Sequence, residues 1–228
     1  DALARQPRAL IGYSDITALH CAVAARVPGL VTFHGPTARA ALPPFSRASL
    51  LRAVGGAVGG VVGGVVGETR GDPCGVADGA HALRSGRATG RLAGGNLALL
   101  AALAGTPYAP RFAGAVVVLE DVNEPVYRVD RMLRQLWLAG AFAECRALLF
   151  GHCTSCPEPC DDDGRRPLAD VVREIADAAG VPAAVGIPVG HVDEQWTLPL
   201  GASADVVVDD AGCTVRVAWP ARGTSTSD

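Results

Sequence analysis

Short runs of consecutive apolar residues alternate along this chain with stretches of helical period. Ala9-Leu10-Ile11 predicts a buried strand, residues 15–25 a helix, and Leu30-Val31-Thr32-Phe33 a second strand. A strand, helix and strand of this size form a βαβ unit, which implies a parallel sheet. Two strands cannot cover a layer by themselves. Further strands are therefore expected from upstream or from another part of the chain.

After the Pro43-Pro44 break, residues 46–54 predict a short helix. Residues 55–67 repeat Gly-Gly pairs among valines, which disfavours a helix, weakens a strand, and reads as a low-complexity linker. Strands are expected at 85–92, 113–119 and 147–150, and helices at 97–103, 127–139 and 168–179. Val129, Met132, Leu133, Leu136 and Trp137 recur at helical spacing and predict a core face, with Gly140 as the C-cap. The last two strands, 204–208 and 214–218, form a hairpin across Asp209-Asp210-Ala211-Gly212.

The 228 residues are 49% hydrophobic and 19% charged, enough for a folded core. A net charge of -3 gives no reason to expect nucleic acid or an anionic membrane as partner. No apolar run is long enough to span a bilayer, the best candidate near 54–66 being broken by glycines. The chain starts at Asp1 without a signal-peptide pattern and reads as processed or as a fragment. Lysine is absent, which removes Schiff-base chemistry, a Ser–Lys dyad and a P-loop. Seven cysteines, mostly scattered singly, suit reduced thiols better than a disulfide framework.

Candidate chemistry gathers at turns. Ser14 lies in Gly12-Tyr13-Ser14, between the first strand and helix. A serine there is held out of the sheet, near helix N–H groups that lack intrahelical partners and can receive an oxyanion. This is the logic of a nucleophile elbow, although Ile16 stands where a second glycine would complete it; simple helix capping is the alternative. Gly94-Gly95-Asn96 brings backbone close to a packed strand or a ligand. Glu120, Asp121 and Glu124 collect at a strand's carboxyl end, where catalytic groups gather, or form a solvated acidic loop. Of the histidines, His20 reads as a structural neighbour, His81 lies in the linker, and His152 lies beside the cysteines; composition does not choose a base between His34 and His191. Cys153, Cys156 and Cys160 follow His152 within metal-ligand reach, but structural zinc sites usually draw on two separated ligand pairs, so no metal is expected. The role of the three cysteines stays open.

Several motifs in order carry a resemblance: Gly-Tyr-Ser-Asp-Ile-Thr-Ala-Leu from Gly12, Phe-His-Gly-Pro from Phe33, Gly-Gly-Asn-Leu from Gly94 and Gly-Thr-Pro-Tyr from Gly105. They continue with Leu-Glu-Asp-x-x-Glu-x-x-Tyr-Arg-x-Asp-Arg from Leu119, Pro-x-Gly-His from Pro188 and Leu-Pro-Leu-Gly from Leu198. Together they resemble the L,D-carboxypeptidases, or muramoyl-tetrapeptide carboxypeptidases, of serine peptidase family S66.

The resemblance implies a Ser–His–Glu triad of Ser14, His191 and Glu120, with Glu124 as runner-up acid. It implies Asp15 N–H as an oxyanion donor and Gly95 and Asn96 on the substrate side. The implied fold is α/β: a partial Rossmann-like parallel sheet unit carrying the serine, then a β-rich α/β domain carrying acid and histidine. The expected bounds are 1–45 for the first domain, 46–84 for the linker, 85–221 for the second domain and 222–228 for a disordered tail. Family members carry further strands and an Arg-Gly-Gly-Tyr-Gly segment ahead of the elbow, so the first domain is expected to be truncated. The implied substrate is a murein tetrapeptide that loses its terminal D-alanine, in cytoplasmic cell-wall recycling, by a homodimer without cofactor. Which diamino acid precedes the D-alanine stays open. The alternatives are a microcin-immunity-type peptidase acting on aminoacyl-nucleotide conjugates, which an aromatic substrate-loop residue such as Trp196 would favour, and an inactive truncated member.

Overall fold

The computed structural model describes residue 5 and residues 8–37, 41–58, 72–157 and 166–218, with backbone alone at 56–58. A small sheet is built from β1 (Ile11–Gly12), β2 (Thr32–His34) and β9 (Leu198–Leu200), in the order β1-β2-β9. β1 and β2 are parallel and are joined by helix α1 (Thr17–Arg26), the expected βαβ unit. The strand that extends this layer comes from far downstream: β9 pairs antiparallel with β2, Thr32 opposite Leu200 and His34 opposite Leu198. Pro199 is tolerated there because β9 is the sheet's edge. Residues 198–200 thus pair with the small sheet while Leu198 and Leu200 pack into the core of the large one.

The large sheet runs β3-β11-β10-β5-β6-β7-β8-β4. Its strands are β3 (Gly75–Ala77), β4 (His81–Arg84), β5 (Gly86–Asn96), β6 (Ala115–Val122), β7 (Ala147–Thr154), β8 (Ala183–Val185), β10 (Ser203–Asp209) and β11 (Gly212–Ala218). β5 to β8 are parallel neighbours, whereas β10 pairs antiparallel with both β5 and β11. Helices α3 (Leu97–Ala102), α4 (Val126–Leu138) and α5 (Leu168–Ala179) cover one face. Along β6 the side chains alternate between two cores. Val117 and Leu119 join Leu100, Leu133, Leu136 and Ile175 under the helices, while Val116 and Val118 join Leu92, Trp196 and Leu198 on the other face. That explains the unbroken apolar run, since both faces are dry.

The expected linker is mostly structured where it is described. Helix α2 (Pro44–Val58) runs past its predicted end into the first glycines, and Ala53 and Val54 pack with Phe33. β3 and β4 are short edge strands of the large sheet, each paired on one side, and β4 meets β8 through a bulge. Strands this short carry little alternation for a pattern to detect. Residues 59–71, most of the Val/Gly repeat, and the expected tail at 222–228 lie outside the described residues. Among the described residues no helix is long and apolar enough to cross a membrane.

Candidate active site

Gly12 ends β1, and a Cβ there would stand 2.7 Å from the Ile16 side chain. The chain passes through extended Tyr13 to Ser14, whose φ of 58° is in the left-handed region. A serine in that region costs about 1–3 kcal/mol, and such strain marks a turn held by its surroundings. A 3₁₀ turn, Ser14–Ile16, leads into α1. Ser14 is half-buried and Asp15 exposed. The strand–turn–helix setting is therefore present despite the missing second glycine.

Glu120 and His191 meet across the large sheet. Glu120, near the carboxyl end of β6, is fully buried, and His191 follows Gly190. His191 Nδ1 lies 2.9 Å from Glu120 Oε2. An ionised carboxylate only accepts, so Nδ1 carries the proton and Nε2 is left as the basic nitrogen. This hydrogen bond raises the His191 pKa above its ordinary value; partial burial opposes it, and the charges of Glu120 and Asp121 add to the rise. Glu120 Oε1 has no hydrogen-bond partner among the described residues. The runner-up acid, Glu124, instead faces Arg128 at 3.5 Å.

The serine turn lies against this pair through its neighbours. The Tyr13 ring stands edge-on to the His191 ring with centroids 4.8 Å apart. On the other side Thr17 Oγ1 accepts from Asn96 N at 3.0 Å. No hydrogen bond joins Ser14 to His191 among the described residues, and catalytic contacts of this kind often tighten only with substrate bound.

Gly95 and Asn96, expected on the substrate side, make close contacts within the chain. Gly95 has φ 137°, and a Cβ on it would come within 2.6 Å of Thr17 Oγ1. The close approach that its motif announces is therefore to the serine helix. Asn96 is buried, its Oδ1 accepting from Leu99 N at 3.1 Å and its Nδ2 donating to Asp121 Oδ1 at 3.1 Å. Asp121 also accepts from Ala98 N and Val122 N. A chain of hydrogen bonds from Thr17 through Asn96 to Asp121 thus fixes the elbow against the strand that carries Glu120. Burial pushes the Asp121 carboxyl up, and these hydrogen bonds oppose the shift.

The segment after His191 is held from two sides. Thr154 Oγ1, at the end of β7, donates to His191 O at 3.0 Å. Ser46 Oγ on α2 donates to Asp193 O at 2.8 Å and accepts from Gln195 N at 2.9 Å, and Ser49 Oγ accepts from Thr197 N at 2.8 Å. Sequence reasoning missed Thr17, Ser46, Ser49 and Thr154, because a hydroxyl that bonds to distant backbone has no local signature.

The remaining histidines are separated from a base's role by their surroundings. His20 Nε2 donates to Gly12 O at 3.0 Å, and burial lowers its pKa. His34 is fully buried, and burial pushes it down to about 4, so it is neutral near pH 7. His81 is exposed on edge strand β4. Cys153 and Cys156 are joined by a disulfide, which corrects the expectation of reduced thiols for these two, while Cys21, Cys74, Cys145 and Cys213 are free; His152 is exposed, and Cys160 lies outside the described residues. Among the described residues no group of three or more His, Cys, Asp or Glu side chains could hold a metal. Trp196, considered as an aromatic substrate contact, is 2% exposed within the core.

Two family models match the chain: the LD-carboxypeptidase N-terminal domain over residues 1–35 and the LD-carboxypeptidase C-terminal domain over residues 89–206. A murein tetrapeptide carboxypeptidase of Pseudomonas aeruginosa is 34% identical over 216 residues, covering 88% of this chain and 63% of that protein. The microcin C7 self-immunity protein MccF of Escherichia coli is 26% identical over 238 residues, covering 94% and 67%. The crystal structure of muramoyltetrapeptide carboxypeptidase from Oxalobacter formigenes superposes with a TM-score of 0.75 at 26% identity, covering 96% of this chain and 72% of that one. The chain spans about three fifths of the length of curated relatives that it matches. With both of the family's domains matched in order and its fold shared, the chain belongs to the LD-carboxypeptidases, peptidase family S66.

Proposed function

We propose that the protein is a serine carboxypeptidase that releases the terminal D-alanine of murein tetrapeptides in peptidoglycan recycling. The observation that carries this reading is the Glu120–His191 hydrogen bond of 2.9 Å, placed beside a serine turn with φ 58°. Serine at its free pKa is a poor nucleophile and needs an adjacent base. His191 Nε2 takes the Ser14 proton as Oγ attacks the scissile carbonyl, and the Asp15 N–H receives the developing oxyanion. Loss of one such donor typically costs ~3 kcal/mol of transition-state stabilisation. The imidazolium then gives its proton to the leaving D-alanine amine. Water, deprotonated by the same imidazole, releases the acyl group from Ser14. Glu120 holds the tautomer and stabilises the cation.

The same triad would serve a peptidase acting on aminoacyl-nucleotide conjugates, and the similarity to MccF supports that second reading. Trp196, 2% exposed, lends that reading no aromatic contact. The cytoplasm and a homodimer belong to the first reading through the family resemblance. Incubation with murein tetrapeptide and with an aminoacyl-nucleotide conjugate separates the two. D-Alanine release supports the carboxypeptidase; turnover of the conjugate alone supports the second reading; no turnover by the folded chain supports an inactive member.

A further inference from the structure

The turn Cys153-Thr154-Ser155-Cys156 plays no part in the hydrolytic steps, yet it touches the same histidine. The disulfide spans a sequence separation of 3 and closes a small ring around Thr154 and Ser155. Ser155 has φ 56°, and Cys156 N donates to Cys153 O at 3.1 Å. The ring lies beside the site because Cys153 pairs with Asp121 and Thr154 with Val122, directly after Glu120 on β6. From inside the ring, Thr154 Oγ1 donates to His191 O at 3.0 Å, and Thr154 O accepts from Asn123 N at 2.9 Å. Both half-cystines are partly exposed and Ser155 is exposed, so a thiol in solution can reach the bond.

We propose that Cys153 and Cys156 are a redox-modification site that sets the rate of the active site through Thr154 and His191, the disulfide form being the faster. The activity arm rests on the hydrolase reading; the thiol chemistry does not. The reducing partner is a dithiol. Its thiolate attacks one Sγ, the protein S–S bond breaks, and the other cysteine leaves as a thiolate and takes up a proton. The second thiol of the reductant then resolves the mixed disulfide, so that the protein gains two thiols and the reductant becomes a disulfide. Oxidation runs in reverse, with a small-molecule disulfide as oxidant.

The coupling is conformational. Opening the ring returns torsional freedom to the turn. Thr154 then holds the His191 carbonyl for a smaller share of the time, and the base wanders from its attacking position. Small misplacements of a catalytic group are costly in rate. In a reducing compartment, disulfides are typically transient and serve redox sensing, so such a pair would make turnover follow the thiol poise.

The test uses the full chain in a Cys160→Ser background, so that pairing reports Cys153 and Cys156 alone. The protein is equilibrated with dithiothreitol or with oxidised glutathione. Alkylation of the peptide carrying both cysteines is then measured by mass, alongside D-alanine release from murein tetrapeptide. Two further alkylations are expected after dithiothreitol, with kcat lower by roughly five- to twenty-fold, KM little changed, and recovery in oxidised glutathione. The Cys153→Ser/Cys156→Ser variant should run at the reduced rate and ignore both reagents. Thr154→Val should be slow in both states and lose most of the response. The His191 imidazole resonance should move between the two redox states in the background protein and not in Thr154→Val, a reading that needs no turnover. Full alkylation after oxidised glutathione, a rate unmoved by verified reduction, or a His191 resonance that ignores the redox state would each overturn the proposal. Absence of turnover with an intact redox shift at His191 would fault the hydrolase reading alone.

Discussion

Gly190 and Glu120 approach so closely that a Cβ on Gly190 would stand 3.1 Å from both Cβ and Oε2 of the carboxylate, and 3.2 Å from His152 O. Gly190 also has φ 121°, a conformation that side chains rarely adopt. The glycine lets the next residue, His191, reach a buried acid. Gly190→Ala should therefore displace the acid–histidine pair. A fall of about 10²-fold in kcat/KM, with about 1–3 kcal/mol lost in urea unfolding, is the expected outcome.

Activity should respond to pH through His191. Its pKa is raised above the ordinary value, chiefly by the hydrogen bond it donates to Glu120. In the proposed mechanism the neutral imidazole is the base, so kcat/KM should fall as pH drops through this raised value, giving an acidic limb shifted upward from the ordinary histidine value. Glu120→Gln removes the charge, so the limb should move to lower pH while the plateau falls. A pH profile of both proteins checks this, and a limb unmoved by the substitution would separate Glu120 from the base.

Stability should respond to pH through His34. Burial lowers its pKa from 6.5 to about 4. The unfolded chain therefore binds the extra proton in that window while the folded chain does not, so stability is lost as pH falls from 6.5 toward 4. The full effect is on the order of 3 kcal/mol. Urea midpoints for the wild type and His34→Leu at pH values across this window should diverge, with the variant less sensitive to acid.

The junction between the two sheets should depend on one hydroxyl. Thr17 Oγ1 accepts from the buried N–H of Asn96 at 3.0 Å. Thr17→Val keeps the shape and strands that donor, at a cost of about 1–3 kcal/mol. Thr17→Ser keeps the acceptor and should recover most of the loss. Denaturant unfolding of the two variants distinguishes the hydrogen bond from packing.

Most of the regular elements could be read from the chain because their cause is local. Helix α5 was expected at 168–179 and spans Leu168–Ala179, with Gly180 in the left-handed cap position. The hairpin β10–β11 follows from its alternation and its turn. The elbow was legible from Gly12 and Ser14. What escaped depends on distant partners. Leu198-Pro199-Leu200 carries no strand signal of its own and becomes β9 by pairing with β2. β4 is half-buried at an edge. Gly95 announced a close approach without naming its partner, which is Thr17. The choice of His191 over His34 came from resemblance. The structure supplies a physical basis in the carboxylate at His191 Nδ1 and in the complete burial of His34.

The most direct measurement is D-alanine release from murein tetrapeptide by the folded wild-type chain and by Ser14→Ala, with matching circular dichroism as the control for folding. Release by the wild type and none above background by Ser14→Ala is the expected result. Undiminished release by Ser14→Ala would contradict the assignment of the nucleophile, and no release by the folded wild type would contradict the carboxypeptidase reading.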